Sequence, residues 1–293
     1  MDILTEEFNL FEQFLLNELS EKDSHIAIEL KNFIFAKSKK LRPKTIFLFA
    51  KALGYEINEK IINLACATEL IHNSTLIHDD IIDKSDIRRG LETFNHKFGN
   101  SLSVLYGDIL LSLAMKFLTK CNNINCFNEF SSSMEKMCLG EINQHFQYKK
   151  IISIDEYIEK SKNKTAELYR AALTSLCHIL NIKEIDKISD FAINFGIAFQ
   201  IKDDLSNILT QDNLKPSSCD IENGVYTAPI IFLAEKYSDI EHFSTEKIKL
   251  LIKENPYALE KTINLIKHFE AKAIKAIDFI ENNKYKQEIL NLF

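Results

Sequence analysis

An all-α fold is predicted for this chain by three observations. Apolar residues recur at three- and four-residue steps, as in Phe8, Phe11, Leu15, Leu16 and Leu19, and again in Leu259, Ile263, Ile266 and Phe269. That repeat marks one face of a helix. Only seven glycines and four prolines interrupt 293 residues. No Asn-Gly or Asp-Gly hairpin stands between alternating strands. With 46% hydrophobic residues the chain can bury a sizeable core, and one helical domain over residues 1–293 is expected.

The elements follow in order. Periodicity places helices at 3–19 and 22–36, and Pro43 can start a third at 43–53. Long apolar-periodic stretches give 58–84, 97–121 and 127–149. Ser153-Ile154-Asp155-Glu156 is a capping box that opens 154–179. Helices at 184–212, 226–237 and 245–253 come next. Asn255-Pro256 reads as a cap followed by a first-turn proline, opening 256–282, and 284–291 closes the chain. Loops are short except at 85–96 and 213–225, each of which follows an acidic motif. No linker, repeat or low-complexity tract is visible.

Charge and cysteine usage exclude several classes. A net charge of −6 gives no reason to expect nucleic acid, so any anion site must be built locally. Cys66, Cys121, Cys126, Cys138, Cys177 and Cys219 form no Cys-x-x-Cys pair and match no zinc spacing. Scattered reduced thiols fit a cytoplasmic protein. The acidic start, Met1 to Glu7, is no signal peptide. Apolar runs are broken by charge short of the ~18 residues of a membrane span, so no span is expected.

The chemistry concentrates in two acidic motifs. Asp79, Asp80 and Asp83 interrupt an otherwise apolar run, with His72 and His78 upstream and Arg88-Arg89 downstream. Carboxylates in such surroundings are costly unless something neutralises them. Helical spacing puts Asp79 and Asp83 one turn apart, a set of hard oxygens suited to Mg²⁺ and phosphate. His78 beside them reads as a structural hydrogen-bonding partner. Far downstream, Asp203-Asp204 recurs with Asn207 one turn on. Two such motifs are best explained as serving one metal–phosphate site. Lys39, Lys40 and Arg42 before one helix, and Arg88-Arg89 after the first motif, add cations for a second phosphate group.

With these residues in place the chain resembles the trans-isoprenyl diphosphate synthases, the family of farnesyl, geranylgeranyl and long-chain polyprenyl diphosphate synthases, across most of residues 30–235. Asp79, Asp80 and Asp83 match the DDxxD motif, and Gln200, Asp203 and Asp204 match Phe-Gln-x-x-Asp-Asp. The segment from Lys37 to Pro43 is similar to the family's Gly-Gly-Lys-Arg-x-Arg-Pro. Tyr106-Gly107-Asp108, Lys164-Thr165 and Thr227-x-Pro229 fall in the family's order.

The resemblance implies a bundle of the isoprenoid synthase type with a central apolar cavity. It implies Mg²⁺ held by Asp79, Asp83 and Asp203, and an allylic diphosphate gripped by Arg88 and Lys164. Isopentenyl diphosphate would be held by Lys39, Arg42, His72 and Arg89, with Thr165, Gln200, Asp80 and Asp204 completing the site. A homodimer is implied too. Ser74 and Thr75, five and four residues before Asp79, correspond to the early floor that limits product length. Both are small, so a product beyond farnesyl, of octaprenyl type, is expected. Phe117, Met134 or Met137 would supply a deeper floor. The same chemistry with a farnesyl or geranylgeranyl product is the nearest alternative, followed by a non-catalytic subunit of a two-component synthase. A terpene cyclase on the same scaffold would not need Lys39, Arg42 and Arg89.

Three departures stand out. Lys37 and Ser38 replace the two glycines, Asn207 stands where the second motif ends in Asp, and Val225 replaces a lysine. Either one allylic-phosphate contact is then missing, or Lys215 or Lys202 supplies it.

Overall fold

A computed structural model describes residues 3–146, 150–209, 221 and 224–293. The chain divides into two compact units. One comprises Met1–Phe130, Ala171–Ile185 and Ile280–Leu292; the other comprises Ser131–Arg170, Asp186–Phe279 and Phe293.

The first unit is organised around α4 (Glu59–Ile82). The Asn58 side chain caps it by accepting from the Ile61 N–H at 3.2 Å. Every residue from Ile61 to Ile71 is buried, which a helix achieves only when neighbours cover all its sides. α6 (Asn100–Lys120) is its principal neighbour. The two approach closely because Gly107 has no side chain. A Cβ there would lie 2.2 Å from His78 Nε2, and Ser74 Oγ donates to the Gly107 carbonyl at 2.9 Å. α1 (Thr5–Ser20) and α3 (Leu41–Ala52) join through Phe8, Phe11 and Phe47, whose rings meet edge to face. Each such ring fully buried contributes about 1.5–3 kcal/mol. α2 (Ser24–Ile34) is capped by Asp23, and Phe33 packs against Phe94 of the short α5 (Phe94–Phe98).

The second unit has its own apolar core. It is built from α8 (Ile154–Ser161), a π-helical turn (Lys162–Ala166), α10 (Ile185–Leu209), α11 (Ala228–Ala234), α12 (Thr245–Glu254) and α13 (Pro256–Ala276). Ile197, Ile201, Leu233, Ile248, Ile252 and Phe269 meet there around the fully buried Tyr157. Gly196 lets α10 touch the π turn: a Cβ would fall 2.4 Å from Ala166 Cα. α7 (Ile124–Phe146), α9 (Glu167–Leu180) and α14 (Lys284–Leu290) complete the helices.

The capping box at Ser153 forms as expected. Several expectations need correction. The segment 85–96 holds a small hairpin, β1 (Ile87–Arg88) against β2 (Leu91–Glu92), joined by Arg89 and Gly90 at φ 53° and 78°. Two successive positive φ values make a type I′ connection, here with arginine where asparagine is usual. The run 154–179 is not one α-helix but is broken by the π turn, and 256–282 stops at Ala276. α3 starts at Leu41, so Pro43 sits within the first turn, where a missing N–H does no harm. Asn255 takes the N-cap position of α13 as expected, but its side chain makes no cap bond; its amide donates to the Leu251 carbonyl at 2.8 Å, at the end of α12. α6, at 21 residues, is long and apolar enough to cross a membrane by length and composition alone, with 44% of its most apolar window buried.

Gly196→Ala should cost about 1–3 kcal/mol by forcing helix backbones apart, and a thermal melt equal to that of the wild-type protein would contradict this contact.

Candidate active site

The first acidic motif occupies the end of α4. Asp83 is the C-cap, and Lys84 turns left-handed at φ 52°. Ser85 N–H then donates to the Asp80 carbonyl and Lys84 N–H to that of Ile81, a Schellman closure. Asp79, Asp80 and Asp83 therefore crowd the negative pole of a helix, where the backbone dipole repels anions. One cation answers this directly: Arg88 Nε, carried on β1, donates to Asp80 Oδ1 at 2.7 Å. Asp80 is 1% exposed. Burial pushes its carboxyl up, and the Arg88 charge and hydrogen bond pull it back. Its Oδ2 is buried without a hydrogen-bond partner among the described residues. Asp79 and Asp83 are half-buried.

The basic residues gather a turn or two earlier on α4. Burial, followed by the charges of Arg42, Arg89, Arg88 and Lys40, holds the His72 imidazole well below its ordinary pKa. It is therefore neutral and can hydrogen-bond an anion without adding charge. Arg89 Nη1 is buried with no hydrogen-bond partner among the described residues. Lys39 is exposed, whereas Lys40, at φ 44°, turns inward and binds Glu69 at 3.0 Å. His78 lies 3.4 Å from the Val104 carbonyl and 3.6 Å from Asp108 on α6, the structural role expected of it. Thr75 donates back to the His72 carbonyl at 2.8 Å, and Ser74 is spent on Gly107. Of the candidate deep-floor residues, Phe117 and Met137 are buried and Met134 is half-buried.

The second acidic motif lies in the later part of α10. Asp203 is exposed, and Asn207 is half-buried. Asp204 is held by two donors: Tyr157 OH to Oδ2 at 2.6 Å and Gln200 Nε2 to Oδ1 at 2.7 Å. Thr165 in turn donates to Gln200 Oε1 at 2.5 Å. A polar chain thus runs from the π turn through Gln200 to Asp204 and Tyr157. Burial pushes the Asp204 carboxyl up to about 6, against the downward pull of Tyr157 and Gln200. Lys164, on the same π turn, pairs with Glu141 of α7 at 2.7 Å. π turns of this kind favour functional positions. Lys202, one of the two candidate substitutes for the missing lysine, is bound by Glu270 and the Phe293 carbonyl. Lys215, the other, lies outside the described residues.

Among the described residues no three carboxylate, imidazole or thiolate groups stand close enough to hold a metal ion alone. The buried Asp80 oxygen without a partner is a group that a bound divalent cation would satisfy.

The sequence profile of the polyprenyl synthetase family matches residues 24–266. The chain belongs to that family. Family members are prenyltransferases, and this chain is one of them. It is 34% identical over 297 aligned positions to a prenyl transferase of Cyanidium caldarium, covering 94% of this chain and 91% of the relative. It is 31% identical to a geranylgeranyl diphosphate synthase of Methanosarcina mazei, covering 87% of this chain and 81% of that one. The fold superposes on the heptaprenyl diphosphate synthase of Staphylococcus aureus with a TM-score of 0.92, at 27% identity, over 99% of this chain and 96% of that chain.

Lys40, expected beside a phosphate, is bound to Glu69 instead, and Glu69, Tyr157 and Glu141 escaped the sequence reading. Glu69 shares a helix face with His72 and Asn73 by i, i+3 and i+4 spacing, a signal that was legible. Nothing local marks Tyr157 or Glu141, because their partners come from distant helices.

Asp204 supplies a pH test. Its folded value of about 6 lies above the ordinary 3.8, so the folded form holds the proton more tightly. That stabilisation is full below pH 3.8 and is lost as pH rises through about 6. In metal-free buffer Asp204→Asn should gain thermal midpoint on the wild-type protein over this interval; a constant difference would refute the assignment.

Proposed function

We propose that the chain is a metal-dependent polyprenyl diphosphate synthase that joins isopentenyl diphosphate head to tail to an allylic diphosphate, with Mg²⁺ as the metal. The observation that carries this reading is the pair of buried, unsatisfied groups of opposite charge, Asp80 Oδ2 and Arg89 Nη1. Buried polar atoms rarely lack partners in a folded protein, and a bound diphosphate with its cation would satisfy both.

In this reading Asp79, Asp83 and Asp203 are the metal ligands. The ion, when bound, neutralises charge on the allylic diphosphate as it leaves. Arg88 and Lys164 bind the same diphosphate, which means loosening their present pairs with Asp80 and Glu141. Asp80 and Asp204 stand beside the metal ligands and complete the site, with Tyr157, Gln200 and, through Gln200, Thr165 orienting Asp204. Lys39, Arg42, Arg89 and neutral His72 hold isopentenyl diphosphate, so that its double bond attacks the allylic cation. The proton released goes to the departing diphosphate. Apolar helix walls exclude water, which would quench the cation.

Ser74 is occupied by Gly107 of α6, and the small, half-buried Thr75 is taken to leave room for a chain longer than farnesyl. This is also the product class of the heptaprenyl synthase whose fold the chain shares. The geranylgeranyl relative keeps a shorter product in view. Homodimerisation and a cytoplasmic setting belong to the same proposal.

Incubation of the purified protein with Mg²⁺, isopentenyl diphosphate and farnesyl diphosphate should yield products longer than farnesyl on chromatography. Absence of any condensation would reject the function, and a purely geranylgeranyl product would reject the long-chain reading. Thr75→Phe should shorten the product; an unchanged length would remove Thr75 from the tunnel. Asp79→Asn should lower turnover about 10²–10³-fold, the usual loss when one charge-stabilising group is removed, and near wild-type turnover would exclude Asp79 as a ligand.

A further inference from the structure

Glu69 is 2% exposed on the otherwise apolar middle of α4. A carboxylate in such a place needs a partner, and it has two. Its Oε1 accepts from Lys40 Nζ at 3.0 Å and from Asn73 Nδ2 at 3.2 Å, and the same amide donates to the Glu69 carbonyl at 2.7 Å. Lys40 also donates to the Ile34 carbonyl at the end of α2. One ammonium therefore ties together α2, α4 and the residue that starts α3. It does so from a left-handed backbone at φ 44°, a conformation that a non-glycine residue keeps only where its surroundings impose it.

The charges around Glu69 come from two remote segments. Lys40 and Arg42 precede or open α3, while Arg89 sits on the hairpin turn, itself left-handed at φ 53°. Arg89 feels both the attraction of Glu69 and the repulsion of Arg42 and Arg88. Without a central anion these cations would push one another outward. Glu69 is too deep, and of the wrong sign, to touch a phosphate itself.

We infer that Glu69 is a positioning residue: its buried ion pair with Lys40 fixes the entry to α3 and sets the spacing of Arg42 and Arg89 for the diphosphate of isopentenyl diphosphate. The inference rests on the proposed function of that basic cluster. A purely structural role would lower stability alone. A positioning role acts on one substrate and spares the other.

The full-length chain is compared as wild type, Glu69→Gln, Lys40→Met and the double variant. Each diphosphate is varied while the other is saturating, and a thermal melt is recorded for every protein. Glu69→Gln and Lys40→Met should each raise KM for isopentenyl diphosphate about tenfold, the factor that corresponds to ~1.4 kcal/mol. kcat and the allylic KM should stay within about twofold of wild type, since both act on the other diphosphate. The double variant should be no worse than the poorer single one, because both act through one contact. An unchanged KM, an equal loss in kcat, or losses that multiply in the double variant would overturn the inference. Should a single variant leave a lone buried charge and fail to fold, the double variant carries none and decides by the same KM. A wild-type protein that condenses nothing removes the functional reading and this inference together; an active wild type with unaltered variants removes the inference alone.

Discussion

Carboxylates crowd the negative pole of a helix here. α4 ends on Asp79, Asp80 and Asp83, with no basic residue in its last turn, and a second acidic pair, Asp203 and Asp204, lies in the later part of α10. A free helix would reverse that arrangement, placing lysine or arginine last. The local sequence thus works against the stability of its own helix end, and the surroundings are arranged to offset this. Arg88 is delivered by a hairpin that reverses immediately after α4, and Asp204 is held by a phenol and a carboxamide that carry no charge at all.

The two motifs are compensated differently. Asp80 is buried and faces a guanidinium, so its environment is ionic. Asp204 is hydrogen-bonded by two neutral donors, and burial outweighs them and the charge of Lys160, so its carboxyl sits high. The first arrangement fixes charge, and the second leaves charge dependent on what is nearby. Stability has been given up at both places, the usual signature of a site kept for function.

Much of this was legible in the chain. Helix class and most helix cores follow from apolar periodicity, because packing of one face dominates helix formation. The acidic and basic clusters were legible because charge in apolar surroundings demands an explanation. Other features were not. The Arg89-Gly90 turn lacks the asparagine that normally announces such a hairpin, and tertiary contacts from Thr93 and Asn95 to the Ser85 carbonyl help to hold it. Lys39 and Lys40 are chemically equivalent in sequence; only the left-handed backbone at Lys40 sends one inward and the other to solvent. Tyr157 finds Asp204 from 47 residues away, a separation at which local pattern carries no information.

The wide turn at Lys162–Ala166 has a consequence for how this region tolerates change. Its closing bond runs from the Glu167 N–H to the Lys162 carbonyl, one residue more than an α-turn contains. Each residue of an α-helix advances the phase by about 100°. The side chains before and after the turn are therefore out of step with the continuous spiral that the capping box at Ser153 begins. Trimming a single residue here would restore a regular helix and yet swing everything on one side of the cut around its axis. The segment would look better formed while Lys164 and Thr165 parted company with Glu141 and Gln200. Here, irregularity is what keeps the reading frame of the surface.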